Sequence, residues 1–104
     1  MLQDADQKPT VLCLLGPTAS GKTDLAMALQ DELPVSLISL DSAMVYRGMN
    51  IGTAKPTPEI LTRYPHALVD IRNPDESYSV GEYILDASKA IQEAISVGKV
   101  PLLV

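Results

Sequence analysis

Lys22 and Thr23 close the run Gly16-Pro17-Thr18-Ala19-Ser20-Gly21-Lys22-Thr23, a Gly-x-x-x-x-Gly-Lys-Thr spacing suited to holding a phosphate or diphosphate. Gly16 lets the chain turn sharply, and Gly21 lets the backbone come close to a phosphate with no side chain in the way. Successive N–H groups then face the anion, backed by the positive end of a helix starting near Lys22. Lys22 is the mobile cation for the outer phosphates, and the Thr23 hydroxyl is a ligand for Mg²⁺. The pattern fixes the ligand's phosphate and leaves open whose phosphate it is.

Asp41 is the next residue with chemistry to offer. It follows the apolar stretch Val35 to Leu40, which places it at the carboxyl edge of a sheet, the edge that also carries the phosphate loop. Three roles are open to it: holding Mg²⁺ directly or through water, acting as general base toward a substrate beside the phosphates, or capping a turn with Ser42. Thr53 and Lys55 could reach a phosphate or serve as ordinary loop residues. His66 is the single histidine, so no His–His metal site exists, and it reads as a satisfied structural histidine. Neither a Cys/His nor a Ser/His/Asp constellation can be assembled.

The elements that must position these residues follow from patterning. Val11 to Leu15 is an unbroken apolar run, expected as a strand buried on both faces. Asp24 to Leu33 has helical apolar spacing, and Val35 to Leu40 reads as a second, parallel strand. Gly48, Gly52, Pro56 and Pro58 punctuate Ala43 to Pro58, where no period holds. Pro58 to Tyr64 is expected as a short helix with Thr57 as N-cap, His66 to Ile71 as a third strand, and Asn73-Pro74-Asp75 as a turn. Ser79-x-x-Glu82 is a capping box. The stripe Ile84, Ala87, Ile91, Ala94, Ile95 after it predicts a helix with a core face, ended by Gly98. Val100 to Val104 reads as another buried strand. Alternating strands and helices predict an α/β fold with a parallel sheet and flanking helices.

Composition sets the bounds. The 104 residues suit one small domain, 46% are hydrophobic, and the net charge is −5, which by itself argues against a nucleic-acid surface. The middle of the chain departs from that average: Arg47, Lys55, Arg63 and Arg72 stand against Glu59 and Asp70 between Tyr46 and Arg72. Cys13, the single cysteine, excludes an intrachain disulfide and is expected as a buried thiol. Met1 to Pro9 is polar and acidic, expected to be a disordered lead-in, and resembles neither a secretory signal nor a transit peptide. No apolar run spans a bilayer. A cytoplasmic setting is the default expectation. Residues 10–104 are expected to form the N-terminal part of a larger catalytic domain, because the chain stops inside a strand.

Taken together, Gly16 to Thr23, Asp41-Ser42, Val45-Tyr46-Arg47-Gly48-Met49-Asn50-Ile51-Gly52-Thr53-Ala54-Lys55-Pro56, His66-Ala67-Leu68-Val69-Asp70-Ile71 and Ser77-Tyr78-Ser79-Val80 resemble the tRNA dimethylallyltransferase family, over about residues 10 to 104. The resemblance implies a fold like that of phosphate-loop NTPases, incomplete here. It also implies transfer of a dimethylallyl group from dimethylallyl diphosphate to N6 of adenosine 37 in tRNAs that read codons starting with U. On that basis Gly16, Pro17, Thr18, Ala19, Ser20, Gly21, Lys22 and Thr23 would bind the diphosphate, with Thr23 on Mg²⁺. Lys22 would stabilise the leaving charge, and Asp41 would be the general base. Asp41, Ser42, Ala43 and Met44 would contact the flipped-out adenine of the tRNA, and the basic middle segment would face the tRNA. The full-length protein is expected to be a monomer off the membrane, and the 104 residues alone are expected to transfer little or nothing. Many family members carry Gln at the position of Met44, so adenine recognition here would rest on packing and on neighbouring groups. Three rivals stand beside this reading: a small-molecule kinase preferring ATP, a transferase acting on free adenine nucleotides, and a catalytically silent phosphate-binding module.

Overall fold

The computed structural model of the chain describes residues 10–15, 21–48 and 55–104. The lead-in (1–9), the phosphate-loop residues Gly16, Pro17, Thr18, Ala19 and Ser20, and the stretch 49–54 with Thr53 lie outside the described residues.

Four parallel strands form one sheet: β1 (Leu12–Cys13), β2 (Val35–Ile38), β3 (His66–Ala67) and β4 (Val100–Leu103), in spatial order β1-β4-β2-β3. Among the described residues three α-helices accompany them: α1 (Lys22–Glu32), α2 (Pro58–Arg63) and α3 (Val80–Ser96), and a 3-10 turn spans Ser42–Val45. The path from β1 through α1 to β2 crosses the sheet in one direction, and the path from β3 through α3 to β4 returns in the other. With right-handed crossovers the two helices therefore fall on opposite faces. Residue alternation agrees, because Val35, Leu37 and Leu102 cluster with Ala26 of α1, and the intervening Ser36 and Ile38 share a groove with Ala90 and Ala94 of α3. Ile38 and Leu102 are each 1% exposed, so the two central strands carry the core.

The local reasons match the sequence. Thr57 Oγ1 accepts from Ile60 N at 3.3 Å to start α2, and Ser79 Oγ accepts from Glu82 N at 3.1 Å to start α3. Gly98, with φ of 78°, ends α3. Its N–H reaches Ile95 O at 3.0 Å, and Lys99 N reaches Ala94 O at 2.9 Å, which satisfies the last carbonyls.

Several expectations are corrected. In this chain β1 is two residues long and exposed, not a strand buried on both faces, because among the described residues β4 is its one strand neighbour. Cys13 is exposed with it. The third strand stops at Ala67 instead of running to Ile71: Leu68 and Asp70 take left-handed φ of 69° and 58°, which no strand accommodates. The chain instead turns to pair with the 3-10 turn, through Asp70 N to Met44 O at 3.0 Å and Ile71 N to Val45 O at 2.8 Å. Ile84, placed in the apolar stripe by its spacing, is 57% exposed, and Tyr83 takes the inward position beside it. β2 ends at Ile38 and β4 at Leu103, two residues and one residue short of the patterned runs.

Candidate functional site

α1 starts at its glycine. Gly21 is the N-cap, with φ of 79° and ψ of 24°, and among the described residues no side chain caps the first turn. A Cβ at Gly21 would meet nothing within 4 Å. The glycine is therefore required by its left-handed backbone, which leaves the first-turn N–H groups open toward whatever lies in front of the helix. Lys22 and Thr23 sit on that turn, half-buried.

In front of them lies a cleft of ≈ 260 Å³, walled by Leu14 and Leu15 after β1, Ser39, Leu40 and Asp41 after β2, Val104 after β4, and Met44, Pro56 and His66, with Lys22 and Thr23 at one end. Three strands thus deliver their carboxyl ends to one place, as open parallel sheets do. Lys22, Thr23 and Asp41, read separately from the sequence, come together here. Met44 joins them. Ser42 and Ala43 are exposed on the 3-10 turn and do not line the cleft.

Asp41 is the N-cap of that turn, its Oδ1 accepting from Ala43 N at 2.9 Å. The capping role is therefore real, and it occupies one oxygen of the carboxylate while the residue still borders the cleft. Ser39, 1% exposed, holds the same turn from below. Its Oγ accepts from Asp41 N at 3.2 Å and lies 3.6 Å from Met44 Sδ. From α3 the Tyr83 hydroxyl donates to Ser39 O at 2.6 Å. Burial, and after it the negative charge of Asp41, push the Tyr83 phenol above its ordinary value. Neither Ser39 nor Tyr83 was singled out in the sequence. A serine inside the apolar run of β2 was the signal for the first, and the inward turn of Tyr83 left none.

Two expectations change at the periphery. Lys55 is no free phosphate ligand: its Nζ donates to Asp70 Oδ1 at 2.7 Å and to Tyr46 O at 2.6 Å, and its side chain is 4% exposed. His66 is incompletely satisfied. Its Nδ1 lies 2.7 Å from Tyr64 O and so must donate, while the buried Nε2 has no partner among the described residues. Burial lowers the imidazole below its ordinary pKa, which favours the neutral tautomer. Of the basic segment, Arg47 donates to Asn73 Oδ1 at 3.0 Å. Arg72 stacks over the Tyr78 ring at 5.0 Å and lies 3.8 Å from Asp86. The half-buried Tyr78 phenol donates to Asp86 Oδ2 at 2.7 Å, and desolvation followed by this hydrogen bond pushes it up to about 12.

A helix that opens on a left-handed glycine, with Lys22 and Thr23 facing a cleft at the carboxyl edge of a parallel sheet, defines an α/β protein of the phosphate-loop type. Residues 44–104 match the model of the IPP transferase family, and the chain belongs to that family. It is 56% identical over 103 residues to tRNA dimethylallyltransferase 2 of Hahella chejuensis (strain KCTC 2396), a match covering 99% of this chain and 31% of the relative. The tRNA delta(2)-isopentenylpyrophosphate transferase of Staphylococcus epidermidis superposes with a TM-score of 0.85 at 44% identity, over 92% of this chain and 31% of that one. The full-length tRNA isopentenylpyrophosphate transferase of Bacillus halodurans gives a TM-score of 0.85 at 44% identity, over 92% of this chain and 32% of that one. The chain thus spans about a third of the length of these relatives. Among the described residues no helix is long and apolar enough to cross a membrane.

Proposed function

We propose that this chain is the N-terminal third of a tRNA dimethylallyltransferase, contributing the diphosphate cradle and the general base. The observation that carries the reading is the convergence of Lys22, Thr23 and Asp41 on one cleft at the carboxyl edge of the sheet. In this reading the diphosphate of dimethylallyl diphosphate sits against the first turn of α1, among Gly16 to Thr23. Its allylic carbon points toward Asp41, and the tRNA adenine enters beside Asp41 and Met44. The N6 lone pair forms the bond to the allylic carbon. The carbon–oxygen bond breaks, and its electron pair leaves on the diphosphate, where Lys22 offsets the growing charge. Asp41 takes the proton that N6 loses.

Mg²⁺ fits this donor set. Among the described residues no cluster of three His, Cys, Asp or Glu side chains stands ready for a metal, yet Mg²⁺ needs few protein ligands, keeping its waters and binding phosphate oxygens. Thr23 would hold it, and bound there it would neutralise diphosphate charge. Met44 places a thioether and no hydrogen-bonding amide at the cleft, so the adenine is held there by packing. Adenosine 37 as the acceptor, a monomeric protein and a cytoplasmic setting complete the proposal.

Calorimetric titration of the full-length chain with Mg²⁺, against dimethylallyl diphosphate and ATP in parallel, tests it. Tighter binding of the prenyl diphosphate is expected, weakened roughly 10- to 100-fold in Lys22→Ala, the loss of a charge-assisted hydrogen bond. Preference for ATP would overturn the proposal in favour of a kinase.

A further inference from the structure

Asp41 hangs from a short turn, and a carboxylate on a turn needs outside support to keep its aim. The cap bond to Ala43 N fixes the side chain to its own turn but does not fix the turn to the protein. Two contacts do. Ser39, 1% exposed, accepts from Asp41 N at 3.2 Å and contacts Asp41 O at 3.4 Å, which ties the residue to the end of β2. Tyr83, on the first turn of α3 and 44 positions along the chain, donates to Ser39 O at 2.6 Å. Without that donor the Ser39 carbonyl, in a residue this buried, would lack the partner it has now.

We propose that Ser39 and Tyr83 are positioning residues for Asp41, joining α3 to the turn that carries the base and setting the angle at which the carboxylate meets the acceptor amine. The proposal rests on the transferase reading. Several side chains point the same way. Ser39 Oγ also lies 3.6 Å from Met44 Sδ, so one hydroxyl registers both cleft residues of the turn. The charge of Asp41 is felt at the Tyr83 phenol, so the helix and the carboxylate are close enough to be coupled. Tyr83 therefore has a role distinct from the neighbouring Ile91, Ala94 and Ile95, which serve packing.

The test uses the full-length chain as unmodified protein, Tyr83→Phe and Ser39→Ala. Single-turnover prenyl transfer, donor affinity and hydrogen exchange of the Asp41 amide are measured together. Displacing a reacting group by about 1 Å costs up to roughly 100-fold in rate, so each variant is expected to lose roughly 10- to 100-fold in the transfer step with donor affinity unchanged. Ser39→Ala should also speed exchange of the Asp41 amide. Unchanged transfer rates in both variants would overturn the proposal. So would a loss of donor affinity and thermal stability in proportion to the rate, the mark of a merely structural role. Absence of transfer in the unmodified protein would instead refute the transferase reading itself.

Discussion

His66 shows how a single residue can sit at the site and still act on stability. Its Nδ1 is committed to Tyr64 O, its Nε2 is buried without a partner among the described residues, and its side chain lines the cleft. Burial depresses its pKa below 6.5. The unfolded chain therefore takes up this proton more readily than the folded one. The stability it contributes is full above pH 6.5 and is lost as pH falls from there toward the folded value. Unfolding midpoints of the full-length chain should fall from the neutral to the mildly acidic side of pH 6.5, and the fall should be shallower in His66→Gln. Equal slopes for the two proteins would show that another group sets the acid response. A lone histidine beside Pro65 announced neither the buried nitrogen nor its tautomer. Those depend on the carbonyl of Tyr64, which the fold alone brings into line.

At the scale of elements, the segment after β3 departs most from its pattern. His-Ala-Leu-Val-Asp-Ile reads as a strand, and the left-handed turn at Leu68 has no sequence signal, because a leucine there is disfavoured and is held by its surroundings. The turn delivers Asp70 to Lys55 at 2.7 Å and the Asp70 and Ile71 amides to the carbonyls of Met44 and Val45. The Lys55–Asp70 pair thus clasps the entry of α2, with the cleft residue Pro56, to the 3-10 turn that carries Asp41. Asp70→Asn keeps a residue that tolerates positive φ and removes the charge facing a nearly buried ammonium. Breaking a fully buried pair costs about 3–5 kcal/mol. With Asp70 40% exposed on its side chain, a loss of roughly 1–2 kcal/mol is expected in chemical denaturation. A loss below the error of the measurement would show that the pair is incidental. By contrast, α3, α2 and their caps were legible from end to end, because Ser79, Thr57, Pro58 and Gly98 act through their own local backbone.

The whole molecule explains why the shorter strands were misjudged in extent and burial. Strand-like stretches such as Val11 to Leu15 and His66 to Ile71 register local composition, whereas extent and burial depend on neighbours. Among the described residues β1 and β3 lie at the two edges of the sheet, and the central β4 and β2 take the core. The candidate site was legible to the extent that it follows from strand ends: Lys22, Thr23 and Asp41 belong to one edge of any parallel sheet with this order of elements. Ser39 and Tyr83 were not, because their contact joins positions 44 residues apart. The proposed function makes Asp41 the base of a transfer whose donor is cradled by Lys22 and Thr23. Single-turnover transfer from dimethylallyl diphosphate to tRNA by the full-length chain, unmodified and as Asp41→Asn, tests it most directly. Asparagine caps the turn as aspartate does but cannot take the proton. A fall of roughly 10²- to 10⁴-fold in the transfer rate, with the affinity for donor and tRNA retained, is the expected result. Transfer by Asp41→Asn at the unmodified rate would show that Asp41 is not the base.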